Sequence, residues 1–590
     1  MSIVGSFIEA AQADRPVYIC DIRDAFQREG TRAFHIHARL YDDSVRRYAL
    51  RVPACDGAAE ARFVEEYLTA MLYNMLSSLG AKAIAVYVDS GDAPLLGFAC
   101  RLNDIFQTDV PIAERRGYGK CLNVNQRTLA SLTGGEVRFA FSVADAADEP
   151  EEAPAPAAPA GKPVFASLPE RAKRGLLMGM DVGGTDVKVA ASVDGRLCVY
   201  KEYDWDPASL PTVERLIAPL MLLTRLTRAA ACLVAEGLGE HVPRAAFERS
   251  ASDEGMRAAA EAMERLIGGR LRGLDGIGLS FPDVVVGDRI VGGETPKTRG
   301  LRENRALDYE AQFARLTDLR DRLGEYVAPG GAVKIVNDGP MAAFTAAVEL
   351  AAAGRDLSDG CFAHSLGTDL GTGWILPDGS IPEIPLEVYN FVVDLGSYGQ
   401  RRYDPGDARS VRNVNTGIPG TLQKYVSQFG VFRLAAKRLP DAAPEAYRGA
   451  FDRGLFARDG DRVVVPTAPR DLRKPCLEYF MAAAEDRASP CAEVFREVGE
   501  ALAVAWRETD YILNPACKAR TLFGRLVKTP ACFDLLREGA RRVVPDIELE
   551  AADEDLANTD LMRQLAAHPA YTVAQFAQAV GAIHFACAGR

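Results

Sequence analysis

Two glycine-rich turns carry the residue types best suited to chemistry, and the first follows an apolar run that reaches Asp181. Gly183, Gly184 and Thr185 come next, before a second apolar run and an Asp-Gly turn at 194–195. Adjacent glycines let backbone N–H groups approach an anion without a side chain in the way. Thr185 adds a hydroxyl donor, and Asp181 could hold Mg²⁺ through water. We predict a phosphate-binding β-hairpin; the alternative is an ordinary tight hairpin.

The second glycine-rich turn repeats this pattern at residues 364–373. Apolar residues precede it, the apolar run 374–376 follows it, and a Pro-Asp-Gly turn closes the hairpin. Two such hairpins could hold the phosphates of a nucleotide, and the P-loop motif G-x-x-x-x-G-K-[ST] occurs nowhere in the sequence. The predicted phosphate contacts of the second turn are Gly367, Thr368, Gly371, Thr372 and Gly373.

Asn337 and Asp338 stand between a short apolar strand and an alanine-rich helix, in the stretch KIVNDGPMAAFTAAVE at 334–349. A carboxylate at the end of a strand can accept the proton of a substrate hydroxyl that attacks the γ-phosphate of ATP. The neighbouring amide could fix the substrate by hydrogen bonds. The alternative is an Asn-Asp helix cap without a chemical role.

The order of these motifs resembles the sugar kinase/actin/Hsp-type ATPase fold, and within it the ROK (repressor, open reading frame, kinase) family, over residues 176–590. The stretch 334–349 is similar to the family's V-x-N-D-A-N-A-A-A-x-x-E motif, and 414–427 resembles its C-x-C-G-x-x-G-C-L-E-x-x-x-S motif. The resemblance implies an α/β fold with two ribonuclease H-like lobes of the actin/hexokinase type and an additional N-terminal α/β domain. It also implies phosphorylation of a sugar or sugar-like hydroxyl by ATP and Mg²⁺, with Asp338 as the base.

Further site residues follow only from this resemblance. Glu387 and Asn390 fall where the family has E-x-G-H, and Gln423 falls where it has a sugar-binding Glu. With Asn337, these three side chains would surround the sugar. Gly524 falls where the family has a Gly-Gly pair close to the adenine, and it is followed here by Arg525.

The family's zinc ligands are all replaced in this chain. Asn390 stands in place of the histidine, and Val414, Thr416 and Thr421 stand in place of three cysteines. Zinc needs its whole set of nitrogen and sulfur ligands, because a partial set binds little. We therefore expect no zinc, with a backbone path that persists without the metal.

Three departures from the motifs of the ROK family keep a second class of function open. This class is a non-catalytic sugar or nucleotide sensor, or a regulatory ATPase, on the same fold. Asp369 lies within the second turn, where a carboxylate would repel phosphate unless Mg²⁺ intervenes. Gln423 lacks the charge of the family's glutamate, and Gly524 is a single glycine. Asp338, which a non-catalytic protein could lose, is present and favours the enzyme.

Composition and charge limit the remaining classes. The 590 residues are 48% hydrophobic and 25% charged, which is typical of globular proteins. The net charge of −12 argues against a nucleic-acid partner. The apolar stretch 219–238 carries Arg225 and Arg228 at helical spacing, so we expect an amphipathic helix and no membrane partner. Scattered cysteines and a start without a basic leader favour the cytoplasm. The expected partner is a small sugar-like substrate, and a homodimer is left open.

The same patterns divide the chain into four parts. Residues 1–145 predict an α/β domain of unknown role, with strands at 17–22, 34–40 and 48–52 in the manner of a degenerate ribonuclease H-like unit. Residues 146–173 are acidic and rich in Ala and Pro, which is typical of a linker. We expect residues 174–350 to form the first lobe, with a helical insertion, and residues 351–590 to form the second.

Overall fold

The computed structural model describes residues 2–135, 138–151, 164–292, 296–367, 370–399, 408–409, 411–552 and 556–588. The chain forms two compact units. The first unit comprises Met1–Pro156, His364–Thr372 and Ile384–Ala551, and the second comprises Ala157–Ala363, Gly373–Glu383 and Ala552–Arg590. Each unit therefore combines segments that are distant in the sequence.

The helices and strands are numbered in chain order. The described helices are α1 Ile3–Gln12, α2 Ile19–Glu29, α3 Ala58–Ser78, α4 Ala93–Cys100, α5 Leu102–Ile105, α6 Cys121–Thr133, α7 Leu168–Arg171, α8 Val213–Ala235, α9 Asp253–Ile267, α10 Arg299–Glu303, α11 Tyr309–Thr317, α12 Leu319–Gly324, α13 Asp338–Ala352, α14 Gly396–Gly399, α15 Ser427–Ala442, α16 Pro444–Asp452, α17 Arg473–Ala484, α18 Pro490–Ile512, α19 Pro530–Val543, α20 Asp560–Ala566 and α21 Val573–Phe585. The described strands are β1 Arg32–Arg39, β2 Val45–Val52, β3 Ala83–Val88, β4 Phe141–Asp145, β5 Leu176–Val182, β6 Asp186–Val193, β7 Arg196–Asp204, β8 Leu274–Phe281, β9 Val285–Val286, β10 Arg289–Ile290, β11 Val327–Asn337, β12 Cys361–Leu366, β13 Leu370–Ile375, β14 Ala457–Asp459, β15 Arg462–Val464, β16 Arg520–Phe523 and β17 Leu549–Ala551.

The second unit is built on a five-stranded sheet with the order β11-β8-β5-β6-β7. β5, β6 and β7 are antiparallel neighbours, whereas β8 runs parallel to both β5 and β11. A strand that is covered on both faces consists almost entirely of apolar residues. The apolar strands β5 and β8 are accordingly almost wholly buried. Their register places Asp181 beside Ser280, and Asn337 beside Phe281, at the carboxyl edge of the parallel strands.

The helical stretch predicted after the first hairpin contains α8 and α9. Within the described part of the chain, α8 alone is long and apolar enough to cross a membrane, and 67% of its apolar window is buried inside the structure. It packs on β5, β6, β7 and α9, so its apolar residues belong to the core over one face of the sheet. Arg225 of α8 forms an ion pair with Glu264 of α9 at 2.6 Å.

Helix α21, near the end of the chain, packs on β5, β6 and β8 of this sheet. Two glycines make the approach so close that larger residues could not replace them. A Cβ at Gly179 would lie 1.8 Å from the carbonyl oxygen of Ala579, and a Cβ at Gly278 would lie 1.9 Å from that of Ala582. Helix α21, which begins about 400 residues later in the chain, therefore fixes the strand that carries Asp181.

The N-terminal part of the first unit has a four-stranded sheet with the order β2-β1-β3-β4. β1 is antiparallel to both β2 and β3, and β4 is parallel to β3. The strand predicted at 17–22 is wrong, because α2 begins at Ile19. Ile19, Ile22 and Phe26 recur at helical spacing and are buried, while Asp21 is exposed. The three-stranded start of a ribonuclease H-like unit is consequently not what residues 1–145 form.

Residues 1–156 share their compact unit with 384–551, although the sequence suggested separate domains. Arg23 of α2 forms a buried ion pair with Glu508 of α18. The hydroxyl of Tyr48 donates to the carbonyl oxygen of Ile512 at 2.8 Å, and the backbone N–H of Val17 donates to Asp394 Oδ1 at 2.9 Å. The N-terminal region is joined to α18 and to the segment before α14 by buried polar contacts.

A second four-stranded sheet has the order β13-β12-β16-β17, with β16 parallel to β17, and β9 pairs with β10 in a separate two-stranded sheet. The chain enters the first unit within β12, at residue 364, and leaves it within β13, after residue 372. On the helical side, α18 packs against α15, α17 and α19. The hairpin β14–β15 packs on α15.

We predict that Glu508→Gln lowers the free energy of unfolding by about 3 kcal/mol, because breaking a buried ion pair leaves one charge uncompensated. Burial raises the pKa of Glu508 and Arg23 opposes that rise, whereas the buried Arg23 guanidinium cannot give up its proton. Urea denaturation followed by circular dichroism measures the loss. Glu478→Gln, in an exposed pair with Lys474, is the matched control and should change stability by less than about 0.5 kcal/mol. Equal effects of the two substitutions would contradict the integration of residues 1–156 with α18.

Candidate active site

The first glycine-rich turn joins β5 to β6 as a tight hairpin. The backbone N–H of Gly183 donates to the carbonyl oxygen of Asp186 at 2.8 Å, and Trp205 Nε1 donates to the carbonyl oxygen of Gly183 at 3.0 Å. Gly184 and Thr185, at the tip, are exposed to solvent. A turn fixed at its base and open at its tip leaves space for an anion against the backbone.

Asp181 is the last residue but one of β5, directly before the turn region. Lys188 lies opposite it on β6, and Ser280 lies beside it on β8. The pKa of the Asp181 carboxyl is raised to about 6, mainly because the group is buried; Lys188 and the Ser280 hydroxyl oppose this rise, and the nearby Asp338 carboxylate adds to it. The side chain retains partial exposure at the carboxyl edge. A carboxylate that is poorly solvated and close to a second carboxylate is stabilised by a cation between them.

Asn337 is the N-cap of α13, as the alternative interpretation of the Asn-Asp pair expected. Its side-chain oxygen accepts a hydrogen bond from the Gly339 N–H at 3.1 Å, and its amide donates to the carbonyl oxygen of Asp283 at 2.6 Å. The cap thus also holds the loop after β8. Asp338, the first residue of α13, is 44% exposed at its side chain and faces solvent beside the cap.

Lys297 is a site residue that the sequence did not indicate. Its Nζ lies 3.6 Å from Asp338 Oδ2, and a Cβ at Gly184 would lie 3.4 Å from Lys297 Cε. The Lys297 side chain therefore lies beside both the tip of the first glycine-rich turn and Asp338. No motif spacing in the sequence marks this lysine.

The second glycine-rich turn is described only in part, because Thr368 and Asp369 lie outside the described residues. Gly367 precedes that gap, and its carbonyl oxygen accepts a hydrogen bond from the N–H of Gln428 at 3.1 Å. Gly371 is partly exposed in β13, where a phosphate could reach its backbone. The phosphate-binding role of these residues remains a prediction.

Two other members of the second turn have packing partners. Thr372 is buried, and its hydroxyl lies 3.1 Å from Nδ1 of His364. Trp506 Nε1 donates to Nε2 of His364 at 2.8 Å, and burial lowers the pKa of this histidine to about 3, so the ring is neutral and donates through Nδ1. A Cβ at Gly373 would lie 2.3 Å from the Cβ of Ala343 in α13, so no larger residue fits there. These contacts give Thr372 and Gly373 a structural role in packing.

Gly524 has a positive φ of 102°, which only glycine adopts readily, and it lies against the end of β12. A Cβ at this position would lie 2.7 Å from the carbonyl oxygen of Leu366, next to Gly367. The fold of the first unit therefore brings the predicted adenine-side glycine close to the second phosphate turn. The motif predicts this glycine, whereas no pattern in the sequence indicates its neighbour.

Glu387 and Asn390, the predicted sugar-side residues, form a hydrogen-bonded group with two further side chains. The Asn390 amide donates to Glu387 Oε2 at 3.1 Å, and Asn413 Nδ2 donates to Asn390 Oδ1 at 3.0 Å. Asn413 Nδ2 also lies 3.4 Å from the hydroxyl of Thr421. A chain of amides and a hydroxyl thus joins two of the positions at which the ROK family has zinc ligands.

The other two replaced zinc positions lie outside this group. Val414 is 78% exposed, and the Thr416 hydroxyl accepts a hydrogen bond from the N–H of Ile418 at 3.3 Å. Among the residues that the structure describes, no group of three or more His, Cys, Asp or Glu side chains could hold a metal ion. Loop 413–421 is held by its own hydrogen bonds, and Asn413, which the sequence analysis missed, lies at their centre.

Gln423 lies at the start of the segment that leads from this loop into α15. Its Oε1 atom and the hydroxyl of Ser427, four residues later, are buried without a hydrogen-bond partner among the described residues. Buried polar atoms are normally paired, and their exceptions cluster at sites that bind ligands or water. Ser427 also has a positive φ of 74°, which is a strained conformation for a residue with a Cβ.

Helix α3 of the N-terminal region supports the segment that carries Glu387 and Asn390. Asn74 is fully buried; its amide donates to the carbonyl oxygen of Val392 at 3.0 Å, and its Oδ1 accepts from the N–H of Val392 at 2.8 Å. The carbonyl oxygens of Ser77 and Ser78 accept hydrogen bonds from the N–H groups of Glu387 and Leu386, at 3.0 and 2.9 Å. The loop that carries Glu387 and Asn390 is therefore positioned by residues 74–78.

Several solved structures are similar to this chain at low sequence identity. No family model matches this sequence, and no curated protein matches it. The chain is similar to the ROK hexokinase from Thermus thermophilus, with 17% identity over 69% of this chain and 96% of that one, and a TM-score of 0.35.

Two further solved structures give comparable values. The glucokinase from Leishmania braziliensis shows 10% identity over 71% of this chain and 94% of that one, with a TM-score of 0.37. The hexokinase from Schistosoma mansoni, complexed with glucose, shows 14% identity over 72% and 88%, with a TM-score of 0.34. All three neighbours are sugar kinases by name.

We predict that Asp181→Asn stabilises the protein at pH 7.5 by roughly 1 kcal/mol, a value reduced for partial solvent screening. Because the folded carboxyl has a pKa of about 6, above its ordinary value of 3.8, the folded state binds more protons between these values. Wild-type stability should therefore fall as pH rises from about 4 to 6, and this loss should be absent in the variant. Thermal unfolding at pH 4.5 and 7.5 measures both effects.

The matched control for this prediction is Asp186→Asn, which removes the same charge from the same hairpin. Asp186 pairs with Lys188 at 2.6 Å, so its loss should leave stability unchanged or lower it. A destabilised Asp181→Asn protein at pH 7.5 would show that Asp181 is a structural residue without a strained carboxylate.

Proposed function

We propose that this protein phosphorylates a sugar or sugar-like hydroxyl with ATP and Mg²⁺, in the manner of a ROK-like kinase. One observation carries the proposal: Lys297 lies between Asp338 and the tip of the glycine-rich turn that follows Asp181. A turn for phosphate, a carboxylate for a cation, an ammonium group and a second carboxylate thus occupy one edge of one sheet. Ligands of α/β sheets bind at this carboxyl edge.

The strand orders support the two-lobe architecture that such a kinase requires. In the second unit, the sheet order β6-β5-β8-β11 places the two hairpin strands beside two later strands that are parallel to each other. The order β13-β12-β16-β17 repeats this arrangement, and β16 and β17 are also parallel. We infer two ribonuclease H-like lobes, within residues 174–350 and 351–590, in addition to the N-terminal region.

Nucleotide binding is assigned to the two glycine-rich turns. Gly183, Gly184 and Thr185 would hold phosphate oxygens through backbone N–H groups and one hydroxyl. Gly367, Thr368 and Gly371 would do the same in the second turn, and Thr372 and Gly373 would shape that turn from within β13. Gly524, next to the end of β12, would allow the adenine to approach the backbone closely.

The residues present fit a magnesium ion held mainly by water and phosphate. Mg²⁺ usually keeps several waters and binds one or two carboxylates together with substrate phosphates, and Asp181 supplies such a carboxylate. The pKa of Asp181 is raised to about 6, mainly by burial, and a cation beside the group would favour its carboxylate form. When bound, Mg²⁺ neutralises charge on the transferred phosphate. Asp181 would orient the water shell of that ion.

Asp338 is assigned as the general base. Its carboxylate would accept the proton of the substrate hydroxyl as the oxygen forms a bond to the γ-phosphorus and the bond to the ADP oxygen breaks. Lys297 would hold Asp338 in place before the reaction and offset negative charge at the turn. Asn337 fixes the start of α13 and hence the direction in which Asp338 points.

Recognition of the sugar is assigned to Asn337, Glu387, Asn390 and Gln423, by their positions in the motifs. Asn390 and Glu387 are already hydrogen-bonded to each other, so their geometry is fixed before a ligand arrives. The Oε1 atom of Gln423, buried without a partner in the described structure, could accept a bond from a sugar hydroxyl. An amide at this position recognises hydroxyl groups without adding charge.

We predict that Asp338→Asn lowers kcat about 10²- to 10⁴-fold while the dissociation constants for ATP and sugar change little. The amide keeps the shape of the carboxylate but cannot accept the proton, and general-base assistance is worth about this factor. Initial rates with Mg-ATP and a panel of hexoses and amino sugars, with calorimetric binding constants, measure the two effects separately. Asp359→Asn, an exposed carboxylate before β12, is the control and should retain wild-type rates. Full turnover by Asp338→Asn would overturn the assignment of the base.

A further inference from the structure

A cavity of about 720 Å³ lies in the first unit between α15, α16 and the hairpin β14–β15. It contains none of the residues assigned to nucleotide, metal or sugar. Its volume falls within the range of small-molecule sites, which is about 300 to 1,000 Å³. The lining residues are Val411, Arg412, Phe429, Phe432, Arg433, Ala436, Lys437, Tyr447, Arg458, Asp461, Arg462, Val463, Val464 and Val465.

The charge of this lining is opposite to that of the whole protein. Five of the lining side chains are basic and one is acidic, whereas the chain as a whole has a net charge of −12. Arg458 and Arg462, on the two strands of the hairpin, form no ion pair with a carboxylate in the described part of the chain. Clustered guanidinium groups that are not neutralised by protein carboxylates are typical of sites for phosphate or carboxylate ligands.

The apolar part of the cavity has room for a ring. Phe429 and Phe432 lie on α15 with their ring centroids 6.2 Å apart, and Tyr447 of α16 completes the aromatic surface. The Arg433 guanidinium lies 5.8 Å from the centroid of Phe429, so one cation is held at the aromatic wall. Aromatic faces beside arginines favour a ligand that has both a ring and an anionic group.

The cavity is connected through α15 to the second phosphate turn. α15 begins at Ser427 with a positive φ, and the N–H of the next residue, Gln428, donates to the carbonyl oxygen of Gly367 at 3.1 Å. Phe429 of the cavity follows directly in the chain. Arg412 donates to the carbonyl oxygen of Gly417 at 3.3 Å, which links the cavity to the loop of Asn413 as well. A ligand that moves Phe429 would therefore change the support of Gly367.

We propose that this basic and aromatic cavity is a second ligand site, which binds a phosphorylated small molecule that contains a ring, and that occupancy is transmitted through α15 to Gly367. The phosphate would contact Arg458 and Arg462, and the ring would lie against Phe429. Both sugar phosphates and mononucleotides have this chemistry. Binding does not depend on the proposed kinase activity; only a consequence for turnover rests on that function.

Titration calorimetry with glucose 6-phosphate, AMP and inorganic phosphate as separate probes tests the site. At least one ring-containing probe should bind the wild-type protein, and Arg458→Ala with Arg462→Ala should weaken it at least tenfold. Arg470→Ala, which removes an exposed arginine from the loop before α17, should leave binding unchanged. A sugar phosphate or a mononucleotide as the tighter probe identifies the source of the ligand. Equal binding by the double variant, tighter binding of inorganic phosphate than of both ring-containing probes, or no binding would overturn the proposal.

Hydrogen exchange measures the transmission without any turnover. The bound probe should slow exchange of the Gln428 amide in the wild-type protein and not in the double variant. Binding without a change at 427–430 would overturn the transmission through α15 and leave the site itself intact. Because neither experiment uses ATP, their outcome is independent of whether the chain proves to be a kinase. If it is, glucose 6-phosphate or AMP should change the phosphorylation rate of the wild-type protein and not of the double variant.

Discussion

The burial of one carboxyl group at the end of β5 is the constraint on which the candidate active site depends. Asp181 lies in a strand that is otherwise apolar, and α21 closes the sheet behind it through Gly179 and Gly278. The fold therefore keeps a poorly solvated carboxyl beside the first glycine-rich turn and close to Asp338, and its pKa is raised to about 6. A carboxyl group with a raised pKa is characteristic of residues held for binding or catalysis.

Much of this arrangement could be predicted from local sequence. The hairpin at 176–193, the strand that ends at Asn337 and the helix that begins at Asp338 have clear periodicity and turn residues, and the structure forms all three. The apolar helix near 219–238 belongs to α8, whose residues pack on the sheet. These elements are specified by residues close together in the chain.

The contacts that assemble the site could not be predicted in this way. Lys297 lies beside Asp338 in the structure, although no motif in the sequence connects the two residues. Asn74 forms a hydrogen bond with Val392, which lies 318 residues later in the chain, and no local pattern marks such a partner. The short apolar run at 17–22 fits the period of a strand as well as that of a helix, so the sequence predicts a strand where the structure forms α2. The N-terminal region supports the loop of Glu387 and Asn390 through α3, in the same compact unit.

The central claim is that phosphate passes from ATP to an organic hydroxyl, and mass-spectrometric analysis of the products tests it most directly. ATP labelled with ¹⁸O in the γ-phosphate would be incubated with Mg²⁺, the protein and a panel of hexoses and amino sugars. The account predicts a sugar phosphate that carries the label, formed in equal amount to ADP. Labelled inorganic phosphate without a phosphate ester, or ATP that remains intact with every sugar, would contradict it.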